Sequence, residues 1–380
     1  MQNFTFHNPT KLIFGKGTIG EIGPKLRGAS FKKVFMIAGG GSIQKTGVYQ
    51  QVVASLKRAG IEWSEAWGVR PNPVLSKVRE MIQMAKVAGV DAILAVGGGS
   101  VIDSAKSVAC GYFLNDVWAA YEKHEPVIRA LPVYAILTLS ATGTEMNGFA
   151  VITHEAEKKK WNIYGPALYP RVSIVDPDVQ RNLPWSQTVN GTLDALAHIQ
   201  EFYFMGGDSE TTLALDESLC RSMIQVTDKL KRDPKDYGAR ANLAWAATLA
   251  LNGISGAGQS SGDWATHGIE HALSAINPDI AHGAGLGVIF PAWITYCQNV
   301  NPAIFKRWSK NIWRSSTVAG GVRALKAKIK AWGSPTTLTE LGICREQFPE
   351  IAANVIQYGM TGNLKKLSQR DIQKILMLAA

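Results

Sequence analysis

Cysteine and histidine are both scarce in this chain of 380 residues, which has four of the one and seven of the other. Cys110, Cys220, Cys297 and Cys344 are scattered with no CxxC among them. That excludes a zinc ribbon or a redox dithiol and suits reduced thiols in a cytoplasm. No apolar run approaches the roughly 20 residues of a membrane helix. The opening "MQNFTFHNPTKLIFGKG" has no basic stretch followed by an apolar core, so no signal peptide is expected. Acidic residues are outnumbered, 30 against 40 Lys and Arg, for a formal charge of +10. The stretch "NPAIFKRWSKNIWRSSTVAGGVRALKAKIKAW" contains no acid at all, yet Arg323, Lys326, Lys328 and Lys330 fall at spacings that mostly suit the wet side of a helix. A solvated face explains this better than nucleic-acid binding does.

With 46% hydrophobic and 18% charged residues the chain is an ordinary globular protein. It is too long for one core, so two domains are expected. In the first half, "KKVFMIA" (32–38), "DAILAV" (91–96), "VYAILTL" (133–139) and "RVSIVD" (171–176) are short apolar runs. The first two stop at glycine clusters and are followed by helix-like segments, an alternation that predicts a parallel sheet with crossover helices. After Pro177 the β-branched runs fade, and apolar residues recur at helical spacing. The expected architecture is an α/β domain over 1–180 and an all-helical domain over 181–380. The boundary falls in "DPDVQRNLPWS".

The few histidines are not spread evenly. "ATHGIEHALSAINPDIAH" (265–282) holds three, and "DALAH" (194–198) sets Asp194 and His198 four apart. On a helix, residues four apart share a face, so Asp194 with His198 and His267 with His271 each project together. His282 lies past the turn signal "NPDI" and opens "HGAGLG". Any one of these alone would suit a structural role. Together, Asp194, His198, His267 and His282 offer three imidazole nitrogens and a carboxylate to a divalent ion. His271, one turn from His267, then faces either the substrate or a ligand.

Two glycine clusters suit a nucleotide. "AVGGGSVIDSAK" (95–106) follows a strand and opens a helix, where free backbone N–H groups favour a pyrophosphate. Gly97, Gly98 and Gly99 would let the main chain approach closely, and Ser100 with Asp103 has capping-box spacing. In "LTLSATGTEMNG" (137–148), Thr138 and Thr142 are placed to bind a nucleotide or to form a polar turn.

Taken together, "GGGSVIDSAK", "LSATGTE", "DALAH" and "DWATHGIEHALSAINPDIAHG" resemble the iron-containing alcohol dehydrogenase family along almost the whole chain. "DWATHGIEH" and "GGGSIQKTG" resemble in particular its NADPH-dependent butanol dehydrogenase and aldehyde reductase branch. The resemblance implies an α/β dinucleotide-binding N-terminal domain over 1–180, an all-α C-terminal metal-binding and substrate domain over 181–380 and a cleft between them. Its metal ligands fall on Asp194, His198, His267 and His282, the ion being iron or zinc. It places cofactor contacts at Asn72 in "PNP" and at Lys160, and Asn147 is expected beside them. It further implies hydride transfer between a primary alcohol or aldehyde and the nicotinamide, in a cytoplasmic homodimer with no membrane or nucleic-acid partner. His271 and a water chain are the candidate proton carriers. Relatives that use NAD carry an aspartate where this chain has Gly39. Gly39, Gly40, Gly41 and Ser42 are therefore expected to receive the 2′-phosphate of NADP(H). A polyol dehydrogenase of the same superfamily and a basic nucleic-acid-binding protein on the same scaffold are the competing readings.

Overall fold

The computed structural model describes residues 1–380. Six strands, β1 (Lys11–Phe14), β2 (Lys33–Ala38), β3 (Glu62–Ala66), β4 (Ala92–Gly97), β5 (Val133–Leu137) and β8 (Val172–Val175), form one sheet in the order β1-β8-β5-β4-β2-β3. Every pairing in it is parallel. Buried parallel strands read as unbroken apolar runs, and β4 "AILAVG" is buried at all its positions. The helices between the strands are α1 (Ile22–Gly28), α2 (Ser42–Lys45), α3 (Val48–Ala59), α4 (Leu75–Ala88), α5 (Gly99–Gly111) and α6 (Trp118–Lys123). An antiparallel hairpin, β6 (Phe149–His154) with β7 (Lys159–Tyr164), stands apart from the sheet.

The remaining helices are α7 (Trp185–Tyr203), α8 (Glu210–Arg232), α9 (Tyr237–Ala250), α10 (Ala265–Ile276) and α11 (His282–Cys297). They are followed by α12 (Pro302–Trp313), α13 (Val318–Trp332), α14 (Phe348–Tyr358) and α15 (Gln369–Ala379). None of the helices is long and apolar enough to cross a membrane. The acid-free basic stretch forms α12 and α13, where Lys328 pairs with Asp228 at 2.7 Å.

The chain folds as two compact units, Asn8–Leu183 with Asp233–Thr248, and Met1–His7 with Pro184–Arg232 and Leu249–Ala380. A single cut at 180 therefore misplaces two stretches. Most of α9 belongs to the α/β unit, where the Thr248 hydroxyl donates to the buried Glu145 carboxylate at 2.6 Å and Trp245 meets Phe14 edge to face. The first residues belong to the helical unit, with the Gln2 amide donating to the Gly258 carbonyl at 2.9 Å. Such contacts join residues far apart in sequence, and no local pattern announces them.

Inside the α/β unit, Lys106 of α5 is fully buried. Its Nζ donates to Thr144 Oγ1 at 2.7 Å and to the carbonyls of Asn147 and Phe149 at 2.8 Å each. Burial pulls this ammonium down to about 7, against the pull of Asp103 and Glu145. One side chain thus ties α5 to the loop before β6. Lys106→Met should leave two buried carbonyls without a donor, lowering stability by about 3 kcal/mol, read as an earlier midpoint in urea unfolding.

Candidate functional site

In the α/β unit the chain leaves β2 towards β3 on one side and leaves β4 towards β5 on the other. The order reverses between β2 and β4, and open parallel sheets bind ligands beyond the strand ends at such a reversal. Register places Ala38 beside Val96, so the loops that begin at Gly39 and Gly98 are neighbours. Gly40 faces open space, since a Cβ added there would meet no atom within 4 Å. Gly41 has φ +98°, a left-handed conformation that glycine adopts freely, and Ser42 begins α2.

The second loop packs tightly. A Cβ on Gly99 would lie 2.7 Å from Thr142 Oγ1, and one on Gly97 would lie 2.5 Å from Val101. Glycine is what lets the two expected motifs touch. The Thr138 amide donates to the Gly97 carbonyl at 2.9 Å, fixing one loop on the other. The helix α5 starts at Gly99 with Gly98 as its N-cap, so the capping box expected from Ser100 and Asp103 does not form.

Asp103 and Asn147, expected beside the cofactor, both have polar atoms bonded to the protein. Asp103 accepts from the Thr144 hydroxyl at 2.7 Å and the Val151 amide at 3.1 Å. Asn147 accepts from Phe149 N at 3.0 Å and donates to the Thr142 carbonyl at 3.3 Å. Lys160 is brought to Asn72, its Nζ donating to Asn72 Oδ1 at 3.0 Å. The hairpin does this, since Lys160 lies opposite Thr153 and the Thr153 amide donates to Pro73 O at 2.7 Å. Lys160 is buried, which sets it apart from its neighbours in "KKK".

The helical unit gathers the histidines. Asp194 and His198 share one face of α7, His267 and His271 lie on α10, and His282 is the first residue of α11. Asp194 Oδ1 lies 3.6 Å from His198 Nε2, 3.9 Å from His267 Nε2 and 3.5 Å from His282 Nε2. Four donors about 2.1 Å from one tetrahedral centre would be roughly 3.4 Å apart. Asp194, His267 and His282 offer atoms within 4.8 Å of one another and so suit a single divalent cation, with His198 placed against Asp194. Asp194 Oδ1 and His267 Nε2 are buried with no hydrogen-bond partner, as donors reserved for an ion would be.

Burial would raise the Asp194 carboxyl, but the surrounding imidazoles outweigh it and hold it at about 2. Burial lowers His198 to about 3, and the charge of Asp194 does not reverse this. Burial works against His267 as well, yet the carboxylates of Asp194 and Glu201 raise it to about 9. His271 is buried beside the set, its ring 5.5 Å from that of His282 and stacked on Tyr358.

Two carboxylates escaped the sequence reading. Glu201 Oε1 lies 3.0 Å from His267 Nδ1, and Glu270 Oε2 meets His282 Nδ1. Their only sequence signal is position. Glu201 comes three residues after His198 and Glu270 three after His267, each on the ligand face of its helix. Glu270, His271 and His282 form a second convergent group. Glu270 is already engaged there by Ser274 Oγ and by His282 Nδ1.

A family model for iron-containing alcohol dehydrogenases matches residues 9–177, and one for the C-terminal part of the same family matches 188–380. The chain is 38% identical to a probable NADH-dependent butanol dehydrogenase 1 of Bacillus subtilis, covering 99% of each chain. It is 31% identical to the NADPH-dependent aldehyde reductase YqhD of Escherichia coli over 95% of each. The crystal structure of an NADH-dependent butanol dehydrogenase A from Thermotoga maritima superposes with a TM-score of 0.98 at 48% identity, over 100% of this chain and 99% of that one.

What brings His282 to Asp194 is a backbone contact. A Cβ on Gly283 would lie 2.0 Å from Asn190 O, one turn before Asp194 on α7. Gly283→Ala should force α11 off α7, costing about 1–3 kcal/mol of stability. Thermal unfolding checks this, and an unchanged midpoint would refute the contact.

Proposed function

The chain belongs to the iron-containing alcohol dehydrogenase family and is an alcohol or aldehyde oxidoreductase, and on that premise we propose its finer chemistry. It transfers hydride reversibly between NADP(H) and a primary alcohol or aldehyde, as a butanol dehydrogenase or aldehyde reductase does. One divalent ion, iron or zinc, is held by Asp194, His198, His267 and His282. The convergence of Asp194, His267 and His282, whose ligand atoms lie within 4.8 Å of one another with His198 set against Asp194, carries the proposal. A cation held there would supply Lewis acidity toward the substrate oxygen, and a bound nicotinamide cofactor would supply the donor or acceptor of hydride.

The residues of the chain do the rest. Asp194 contributes one negative charge, so a divalent site stays net positive and favours an alkoxide. His271, buried beside His282 but outside the donor set, carries the proton. Gly97, Gly98, Gly99, Ser100, Thr138 and Thr142 shape the dinucleotide site, with Asp103 and Asn147 bracing it from behind. Asn72 and Lys160 hold the cofactor ribose. Four free thiols suit a reducing cytoplasm, and a two-fold dimer is the proposed assembly.

His267→Ala and His282→Ala should lose the metal and about a thousandfold in turnover, the several kcal/mol a Lewis acid contributes. His271→Ala should keep the metal and slow the reaction about a hundredfold. Elemental analysis and the absorbance of reduced nicotinamide with butanal decide. Loss of metal in His271→Ala as complete as in His267→Ala would defeat the division of roles, and full metal content in Asp194→Asn would remove Asp194 from the ligands.

Preference for NADP(H) rests on the loop after β2. Residues 39–42 carry no carboxylate, Gly40 opens to free space, and Ser42 with Lys45 offers a hydroxyl and a positive charge. The related butanol dehydrogenases are named for NADH and the aldehyde reductase for NADPH, so the support for NADP(H) comes from the loop of this chain alone. Gly39 has room for a side chain, its nearest obstacle being Val69 O at 3.4 Å from an added Cβ. Gly39→Asp should therefore fold and should erode the preference about tenfold by repelling the 2′-phosphate. Equal kcat/KM with NADPH and NADH in the unaltered protein would sink the claim.

A further inference from the structure

The carboxylates of Glu201 and Glu270 are wholly buried within the helical unit. Each lies against the Nδ1 of one histidine whose Nε2 faces Asp194. A neutral imidazole has one N–H and one lone pair, and an acceptor at Nδ1 decides which nitrogen bears which. We propose that Glu201 and Glu270 are positioning residues of the metal centre, each accepting a hydrogen bond from the Nδ1–H of one histidine so that the Nε2 lone pair points at the ion. The inference rests on the reading of Asp194, His198, His267 and His282 as ligands.

The arrangement interlocks three helices. Glu201 on α7 holds His267 on α10, and Glu270 on α10 holds His282 on α11. No helix orients its own ligand, so the tautomers are correct only when all three are docked. His198 marks the contrast. Its Nδ1 is buried with no hydrogen-bond partner, and its ring is steadied instead by stacking on His267 at 4.8 Å.

Glu201 has a second duty. Its Oε2 accepts from the Trp264 amide at 2.6 Å, while Oε1 takes the Thr266 hydroxyl, the His267 amide and the His267 ring. Trp264 sits at φ +64°, left-handed and uncommon for so bulky a residue, at the N-terminus of α10. One carboxylate thereby fixes both the ring of a ligand and the backbone entering its helix. Glutamine cannot replace it fully, because donors face both oxygens and an amide offers an acceptor to only one side.

The test uses Co²⁺ as the metal probe with the full-length chain. Its dissociation constant is measured by competition with a chromophoric chelator, and its visible absorption bands are recorded. Glu201→Gln and Glu270→Gln should each weaken Co²⁺ binding by about ten- to a hundredfold and shift the bands. Glu217→Gln, a buried carboxylate of the same unit bound to Tyr203 and Arg307, should change neither. Because a variant can fail to fold, ¹⁵N NMR of the imidazoles in the unaltered Zn²⁺-loaded protein gives an independent reading. The expected result is protonated Nδ1 and metal-bound Nε2 at both His267 and His282. Wild-type affinity and spectrum in both Gln variants, or Nδ1-bound metal at either histidine, would overturn the proposal and leave the ligand set standing. A wild-type chain that takes up no Co²⁺ would overturn the ligand set and this inference with it.

Discussion

A carboxylate removed from water must find opposite charge or hydrogen-bond donors nearby, or the fold cannot keep it ionised. Asp194 is 2% exposed, and three imidazoles around it meet that demand. Much of the helical unit follows from this one requirement. α7 supplies Asp194, His198 and Glu201 at spacings that keep them on one face. α11 must then come unusually close, and its glycines make the approach possible. Gly283 abuts Asn190 of α7, Gly285 abuts the Glu270 side chain, and Gly287 abuts Leu193. Behind them, Phe204, Trp293, Phe305 and Trp308 pack ring against ring, which gives the polar cluster a rigid apolar support.

The α/β unit solves a different problem with the same economy of side chains. A nucleotide phosphate is bound best by backbone N–H groups, so the strand ends at Gly39 and Gly98 expose main chain where other residues would cover it. The cost falls on the interior, where close loops need something to hold them. Lys106, Asp103 and Asn147 do this, forming a network among α5, β6 and the loop between β5 and β6. Residues of a chemically suggestive motif thus divide into those that face outward and those that keep the loop in shape. Sequence alone cannot sort one from the other, because spacing reports proximity and not direction.

That limit explains what was legible. β2, β4, β5 and β8 are buried on both faces and read as apolar runs. β1 is four residues long and half exposed, and β3 "EWSEA" carries two glutamates, so neither gave an apolar run. The β6–β7 hairpin was hidden by the lysines that end its turn and open β7, which look like a solvated charge run. The candidate metal donors were legible because histidine is rare here and two helical pairs were present. Glu201 and Glu270 were not, since a glutamate on a helix is ordinary until the neighbouring helix is in place.

The crowding of histidines has a physical reason in where negative charge is allowed to sit. Each carboxylate that touched the cation directly would cancel part of its charge and weaken it as a Lewis acid toward a substrate oxygen. Imidazole binds without that cancellation, so a site with one aspartate and three histidines keeps net positive charge. The affinity given up by using neutral ligands is recovered one bond further out. Glu201 and Glu270 lie against the far nitrogens of His267 and His282, where they would strengthen those donors without contacting a bound ion. Three buried carboxylates surround the site, but only Asp194 stands among the inner donors. The placement of these charges, more than their number, decides whether the centre merely holds a cation or leaves it able to polarise what binds next.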